Sequence, residues 1–313
     1  MQRHTRRAHG IKFPAGIGYD QRWFSRGARR VYISELMATS GMGFGTSGAR
    51  GTVEAMTDPV CYAYTVGFLQ AMAGQGRIVP GDSVYLAGDL RPSTGRILAA
   101  CQQAVADSGY QPVYTGRLPS PAVACYAMQQ QAASVMVTGS HIPDDRNGIK
   151  FNRPDGEILK PDEAAIKAQS VELPAPFPVL GEALLPAADP RTQQHYVERY
   201  TQFFPAACLA GMRIGVYQHS GVARDLLVEI LEALGAVVTP LARSGVFVRS
   251  IPRRYATTIS GWAGTGLPNT VSTPLCRPTV MPTAPCLQTR TASGCAVILS
   301  VSCVRATSVF NSW

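Results

Sequence analysis

Residues 134–151 read SVMVTGSHIPDDRNGIKF. A run of small and apolar residues delivers a hydroxyl, Ser140, and an imidazole, His141, to a loop that carries Asp144, Asp145 and Lys150. Serine is a poor nucleophile unless a neighbour activates it. If a strand continued through both residues, His141 would point away from Ser140, so adjacency alone does not make a Ser-His dyad. Asp144 and Asp145 are too near in sequence to read as the acid of a triad, and no G-x-S-x-G elbow is present. A serine hydrolase or phosphatase using Ser140 stays open, but a phosphate carrier fits these residue types better. A phosphoserine is doubly charged near neutral pH. Moving its phosphoryl group requires a divalent cation and nearby Lys or Arg.

Two other stretches could meet such a charge. FGTSGARG, residues 44–51, offers backbone N–H groups, the hydroxyls of Thr46 and Ser47, and Arg50 in one Gly-rich loop. Such a loop can cradle a phosphate, although the same composition also makes ordinary turns. GDLRPST, residues 88–94, places Asp89 and Arg91 at a strand end, as a local ion pair or as a phosphate contact. His195 and His219 have no metal-ligand spacing. His195 reads as a helix-surface residue and His219 as a structural one.

The elements that must position these groups repeat one plan. DSVYLAGDL, QPVYTGRL and SVMVTGSH read as strands, and PVCYAYTVGFLQAMAG, GRILAACQQAVAD and AVACYAMQQQ as helices, with Ser93 or Thr94 placed to cap the second helix. Strand, loop and helix at this spacing predict an α/β fold with a mixed, mostly parallel sheet. Loops after the C-terminal strand ends line the ligand crevice of such sheets. Proline-rich residues 171–190 read as an interdomain connection. Beyond them, RIGVYQHSGVARDLLVEILEALGAVVTPL predicts one βαβ unit, an incomplete second α/β domain. The expected division is 1–30 as a disordered or misassigned start, 31–185 as the serine domain, 186–248 as a partial second domain and 249–313 as a non-native tail. Met37 and Met42 are available as later starts.

Charge is uneven along the chain. Of the formal net charge of +9, residues 1–30 carry +7 and residues 249–313 carry +6, which leaves 31–248 at −4. The mildly acidic middle argues against nucleic acid as a partner, and neither end shows the clustered basic run of a nucleic-acid tail. None of the eight cysteines forms a CxxC pair, which argues against zinc. The N-terminus lacks the apolar core of a signal peptide, and no run is long and apolar enough to span a bilayer. The expectation is a cytoplasmic protein.

FGTSGARG, TGSHIPDDRNGIKF and RIGVYQHSGVARDLLVEILEALGA, in that order, resemble the α-D-phosphohexomutases, the phosphomannomutase/phosphoglucomutase family. The resemblance covers about residues 31–248. It implies a four-domain enzyme around a central cleft that uses a phosphorylated serine, Mg²⁺ and a bisphosphorylated sugar. It assigns the phosphoserine and one Mg²⁺ oxygen to Ser140, and an arginine beside that phosphate to Arg50. His141 and Lys150 match positions in the family's serine loop, where Lys150 would offset charge or help move the hydroxyl proton. Thr46, Ser47 and Arg91 become phosphate-binding candidates. The substrate implied is a hexose phosphate, of mannose first, with phosphoglucose and phosphoglucosamine as rivals. A non-catalytic sugar-phosphate or partner-binding fragment is the alternative class, recognisable by Mg²⁺-independent binding without turnover. Three family features are absent from the sequence: an Asp-Gly-Asp-x-Asp-Arg loop for Mg²⁺, a sugar-recognition loop and a further phosphate loop.

Residues 249–313 contain six Arg and no Lys, Asp or Glu, and show no helical or alternating period. A shift of reading frame accounts for this. Joining the third base of each codon to the first two of the next, residues 271–290 permit the peptide FDAIVSTDGDADRPLLADE. Its second alanine, within DGDAD, is forced by the Met281 and Pro282 codons. After Val248 the same reading permits PVDTE. Sequencing the locus across codons 245–290 should return codons for these peptides in the shifted frame. Codons incompatible with them would reject the shift.

Overall fold

The computed structural model describes residues 29–45, 48–140 and 142–248. In chain order these form β1 (Arg29–Tyr32), α1 (Ile33–Ser40), β2 (Gly43–Phe44), β3 (Gly48–Thr52), α2 (Asp58–Gly74), β4 (Ser83–Gly88) and α3 (Thr94–Asp107). There follow β5 (Gln111–Arg117), α4 (Ser120–Gln129), β6 (Ala133–Val137), β7 (Arg146–Arg153), β8 (Gly156–Glu157), α5 (Lys160–Lys167) and β9 (Ser170–Leu173). The second unit holds α6 (Arg191–Phe203), β10 (Arg213–His219), α7 (Arg224–Ala233) and β11 (Val237–Arg243).

The main sheet has the order β2-β3-β7-β6-β4-β5, with β8 paired to β7. It is a mixed sheet. β5, β4 and β6 are mutually parallel, and β7 runs antiparallel between β6 and β3, so β3 points the same way as β6. The period of two along each strand sends alternate residues to two cores. Val84, Leu86, Val135, Val137, Ile149 and Phe151 pack beneath α2 and α3. Tyr85, Ala87 and Met136 pack on the other face with Val123, Tyr126 and Ala127 of α4. The result is three layers, α/β/α.

Helix α2 is apolar on nearly every side because it is enclosed on nearly every side: Val60 to Leu69 are all buried. Pro59 in its first turn needs no helical N–H partner there. Phe68 of α2 stacks on Phe151 of β7 with centroids 4.7 Å apart, and both side chains are fully buried.

In the second unit β10 and β11 pair in parallel, and Ile214, Val216, Leu231 and Ala236 form a small core. Leu226, Ile230 and Leu234 instead join Tyr196 of α6 in the core over α4. The second unit is thus docked on the outer face of the first. Residues 171–190, read as a connection, begin as β9 paired with β1 and then pack down. Phe177 meets the Tyr62 ring edge-on, and Leu180 is buried in the main core.

Two segments read as loops are strands. Residues 48–52 form β3 and residues 146–153 form β7. Their Gly, Arg and Asn content carries little strand preference; pairing with neighbours on both sides imposes it. The expected helix cap at Ser93 or Thr94 is not made. Ser93 Oγ accepts from Asn147, and Thr94 Oγ1 donates to Asp89.

Replacing Phe68 by Ala removes one ring of a buried stack whose neighbours cannot fully collapse, and should cost about 3–5 kcal/mol. Chemical denaturation of the Phe68→Ala protein would measure it, and a loss under about 1 kcal/mol would show the stack to be dispensable.

Candidate functional site

β4 and β6 are neighbouring parallel strands, so the loops leaving their C-terminal ends meet. Two side chains of the β4 loop, Asp89 and Arg91, make the contact. Asp89, 8% exposed, accepts from Thr94 Oγ1 at 2.7 Å and the Arg91 amide at 3.0 Å with one oxygen. Its other oxygen accepts from Thr138 Oγ1 at 2.8 Å and the Gly139 amide at 3.1 Å. The Asp89 amide in turn donates to the Val137 carbonyl. Asn147, fully buried, ties β7 to the same junction by donating to Ser93 and Thr94 and accepting from the Gly148 amide.

Ser140 stands just past this junction. It is exposed, and its backbone is left-handed, with φ +52°. A non-glycine residue in that region costs about 1–3 kcal/mol and persists only where its surroundings hold it. Here the Ser140 amide donates to Thr138 Oγ1 at 3.0 Å. Its carbonyl accepts from the Arg91 guanidinium at 3.4 Å.

Arg50 and Lys150 share one face of the sheet. Arg50 of β3 lies opposite Gly148 of β7, and Lys150 of β7 lies between Gly48 of β3 and Met136 of β6. Ala49, Ile149 and Phe151 point into the main core, so the two cations project from the opposite face. Gly148 keeps the row open. A Cβ there would crowd the Thr138 and Ala49 carbonyls at 3.1 and 3.2 Å. Gly45 does the same for Arg50, whose Nε lies 2.6 Å from where a Gly45 Cβ would stand. Arg50 is exposed and Lys150 half-buried, and neither has an ion-pair partner among the described residues.

Arg91, read either as the partner of a local ion pair with Asp89 or as a phosphate contact, makes the ion pair. It is 2% exposed and its guanidinium is committed to the serine loop's own carbonyls and to Asp89. Burial lowers its pKa, and Asp89 opposes the shift. Thr46, Ser47 and His141 lie outside the described residues. His195 is half-buried rather than on the helix surface, its ring 5.3 Å from that of Tyr126. His219 ends β10 with φ +51° and its Nδ1 lies 3.1 Å from Ser220 Oγ; burial lowers its pKa. Thr138, Asn147 and the two glycines Gly45 and Gly148 were not legible as site residues. The one sequence signal, the Asn147-Gly148 pair, reads as a turn.

The residues present do not by themselves fit Mg²⁺. The ion takes about six hard oxygen ligands in octahedral array. Among the described residues no three His, Cys, Asp or Glu side chains come together as a metal site. No helix among the described residues is long and apolar enough to cross a membrane.

The domain is α/β/α, presents Ser140 in a left-handed backbone just past the C-terminal end of a central parallel strand, and carries Arg50 and Lys150 on one face of the same sheet. Residues 41–173 match the family model described as phosphoglucomutase/phosphomannomutase, alpha/beta/alpha domain I. The chain is 45% identical over 207 residues to a phosphomannomutase of Sinorhizobium fredii, covering 66% of this chain and 44% of that protein. It is 43% identical over 216 residues to a phosphomannomutase of Salmonella muenchen, covering 68% and 43%. A phosphoglucosamine mutase of Alkalilimnicola ehrlichii is 33% identical over 210 residues, covering 64% and 44%. The chain therefore spans less than half the length of these relatives. Its fold is shared with a solved structure named as a putative phosphomannomutase from Thermus thermophilus, at a TM-score of 0.56 and 22% identity over 73% of this chain and 53% of that one.

Asp89→Ala would leave the Arg91 guanidinium buried without its counter-charge, along with the Gly139 N–H. Breaking one half of a buried pair costs about 3–5 kcal/mol. Thermal or urea unfolding of the variant should show a loss of that size; a loss below about 1 kcal/mol would mean that solvent reaches the pair and screens it.

Proposed function

We propose that Ser140 is a phosphoryl carrier and that residues 31–185 are the phosphoserine domain of a hexose-phosphate mutase, an intramolecular phosphotransferase that interconverts hexose 6-phosphate and hexose 1-phosphate. The observation that carries this reading is the left-handed, exposed Ser140 in the loop between β6 and β7, with Arg50 of β3 and Lys150 of β7 sharing one face of the same sheet. In the forward half-reaction the Ser140 Oγ–P bond breaks and a sugar hydroxyl oxygen takes the phosphorus, losing its proton. In the return half-reaction Ser140 Oγ is the nucleophile and regains the group from the bisphosphorylated sugar. Arg50 offsets the charge of the resting phosphoserine, and Lys150 either shares that task or accepts the hydroxyl proton. His141, Thr46 and Ser47 complete the phosphate surroundings in this reading. Arg91 does not touch phosphate; it holds the loop.

Mannose phosphate is the favoured substrate, because the phosphomannomutase relatives are 45% and 43% identical and the phosphoglucosamine mutase 33%. Mg²⁺ belongs to the parent enzyme, and its aspartate ligands would lie in the shifted frame over residues 278–284. Residues 186–248 are a partial second domain and 249–313 a tail read in the wrong frame. The protein is assigned to the cytoplasm, with a hexose phosphate as partner and neither nucleic acid nor membrane. The cation-cage and sugar-recognition motifs do not occur in these 313 residues, so little or no mutase activity is expected of this polypeptide.

The test has two arms. Purified 1–313 protein, given mannose 1-phosphate, a hexose bisphosphate and Mg²⁺, should show no mutase turnover; normal turnover overturns the inactivity. The gene with its frame restored should yield an active enzyme in which Ser140→Ala lowers kcat on the order of a thousandfold or more. Full activity in that variant overturns the carrier role.

A further inference from the structure

The terminal nitrogens of the Arg91 guanidinium are spent on one loop. Nη1 donates to the carbonyls of Pro143 at 2.7 Å and Arg146 at 3.0 Å. Nη2 donates to the carbonyls of Ile142 at 2.6 Å and Ser140 at 3.4 Å. Nε faces Asp89 Oδ2 at 3.3 Å as an ion-pair contact. Four carbonyls between residues 140 and 146 therefore converge on one cation, which a backbone does only when something holds them against their mutual repulsion. Gly139 lies directly against the guanidinium: a Cβ there would collide with Nε, Cζ and Nη2. The ring of Phe247 covers it, 4.8 Å from Cζ.

Phe247 comes from the second unit. It follows β11 in a segment tied to β10 and α7. The Ser244 carbonyl accepts from Arg224 at 2.7 Å, and the Val248 amide donates to Ser220 Oγ at 3.0 Å. The serine loop is thus gripped from beneath by a residue of β4's own loop and closed over by a ring from another unit. A lysine could not replace Arg91. Its three donors lack the planar fork that reaches carbonyls on two sides at once.

We propose that Arg91 is the positioning residue for Ser140. Its fork sets the loop so that Ser140 takes its left-handed backbone, and the Phe247 ring makes that setting depend on the docking of the second unit. The proposal rests on the carrier reading only for the purpose of the loop; its geometry is tested without any transfer.

The experiment is hydrogen–deuterium exchange on the 1–313 protein, comparing residues 139–146 with α2 and β4. In Arg91→Lys, exchange in 139–146 should rise about tenfold or more, the equivalent of one charge-assisted hydrogen bond. Exchange in α2 and β4 should change by less than about twofold. In Arg91→Ala, millimolar guanidinium chloride should restore part of the protection, and equal sodium chloride should not. Phe247→Ala should raise exchange in the same residues by about two- to fivefold, the value of one cation–π contact. If Arg91→Ala does not fold, Arg91→Lys and Phe247→Ala carry the test. Unchanged exchange in 139–146, or an equal rise throughout the domain, overturns the positioning role. Full turnover by the frame-restored Ser140→Ala enzyme, with the loop still loosened by Arg91→Lys, would overturn the carrier reading and leave the positioning intact.

Discussion

The buried pair of Asp89 and Arg91 is the interaction on which the rest of the site depends. Asp89 gathers donors from β4's loop, from the start of α3 and from the end of β6, and so fixes where two parallel strands stop. Arg91 takes the next step outward and collects the carbonyls of the serine loop. A charged pair in a dry interior is costly unless its lone pairs and N–H groups are used. Here nearly all are used, by backbone groups that would otherwise be unpaired at a strand end. That arrangement favours one loop conformation over many, and the serine's strained φ is its visible product.

The layers around this pair follow from simpler physics. Alternation along β4 and β6 splits their side chains between two apolar cores, and each core needs a helical cover. The α2/α3 cover is local to the first unit. The α4 cover is completed by α6 and α7, which carry the second unit with them. Phe247 reaches Arg91 because of that docking. The second unit is therefore joined to the first twice, through an apolar face and through one aromatic ring at the serine loop.

The strand β7 shows why the site could not be assembled from motif alone. The serine motif runs directly into it, and its antiparallel turn back along β6 brings Lys150 beside Met136 and Gly148 beside Arg50. Arg50 and Lys150 are far apart in the chain and about one diagonal step apart in the sheet. The glycines at 45 and 148 matter for space, since a Cβ at either would meet the arginine or the carbonyls around it.

Much was legible before any tertiary information. The helices at 58–74, 94–107 and 120–129 and the strands at 83–88, 111–117 and 133–137 follow apolar period and Gly or Pro punctuation, which are local signals. So does the βαβ unit at 213–243. The serine motif and its place after a strand were equally plain. Arg91's role was not, because a buried arginine and a ligand-binding one have the same letter, and only the folded loop shows which carbonyls surround it. The strands β3 and β7 were hidden because their Gly, Arg and Asn content carries little strand preference until neighbours on both sides supply hydrogen-bond partners. The sequence by itself determined the α/β layering and the place of Ser140 after a strand. Tertiary structure decided that Arg50 and Lys150 share one sheet face a diagonal step apart, because strand register is a long-range pairing that local composition does not encode.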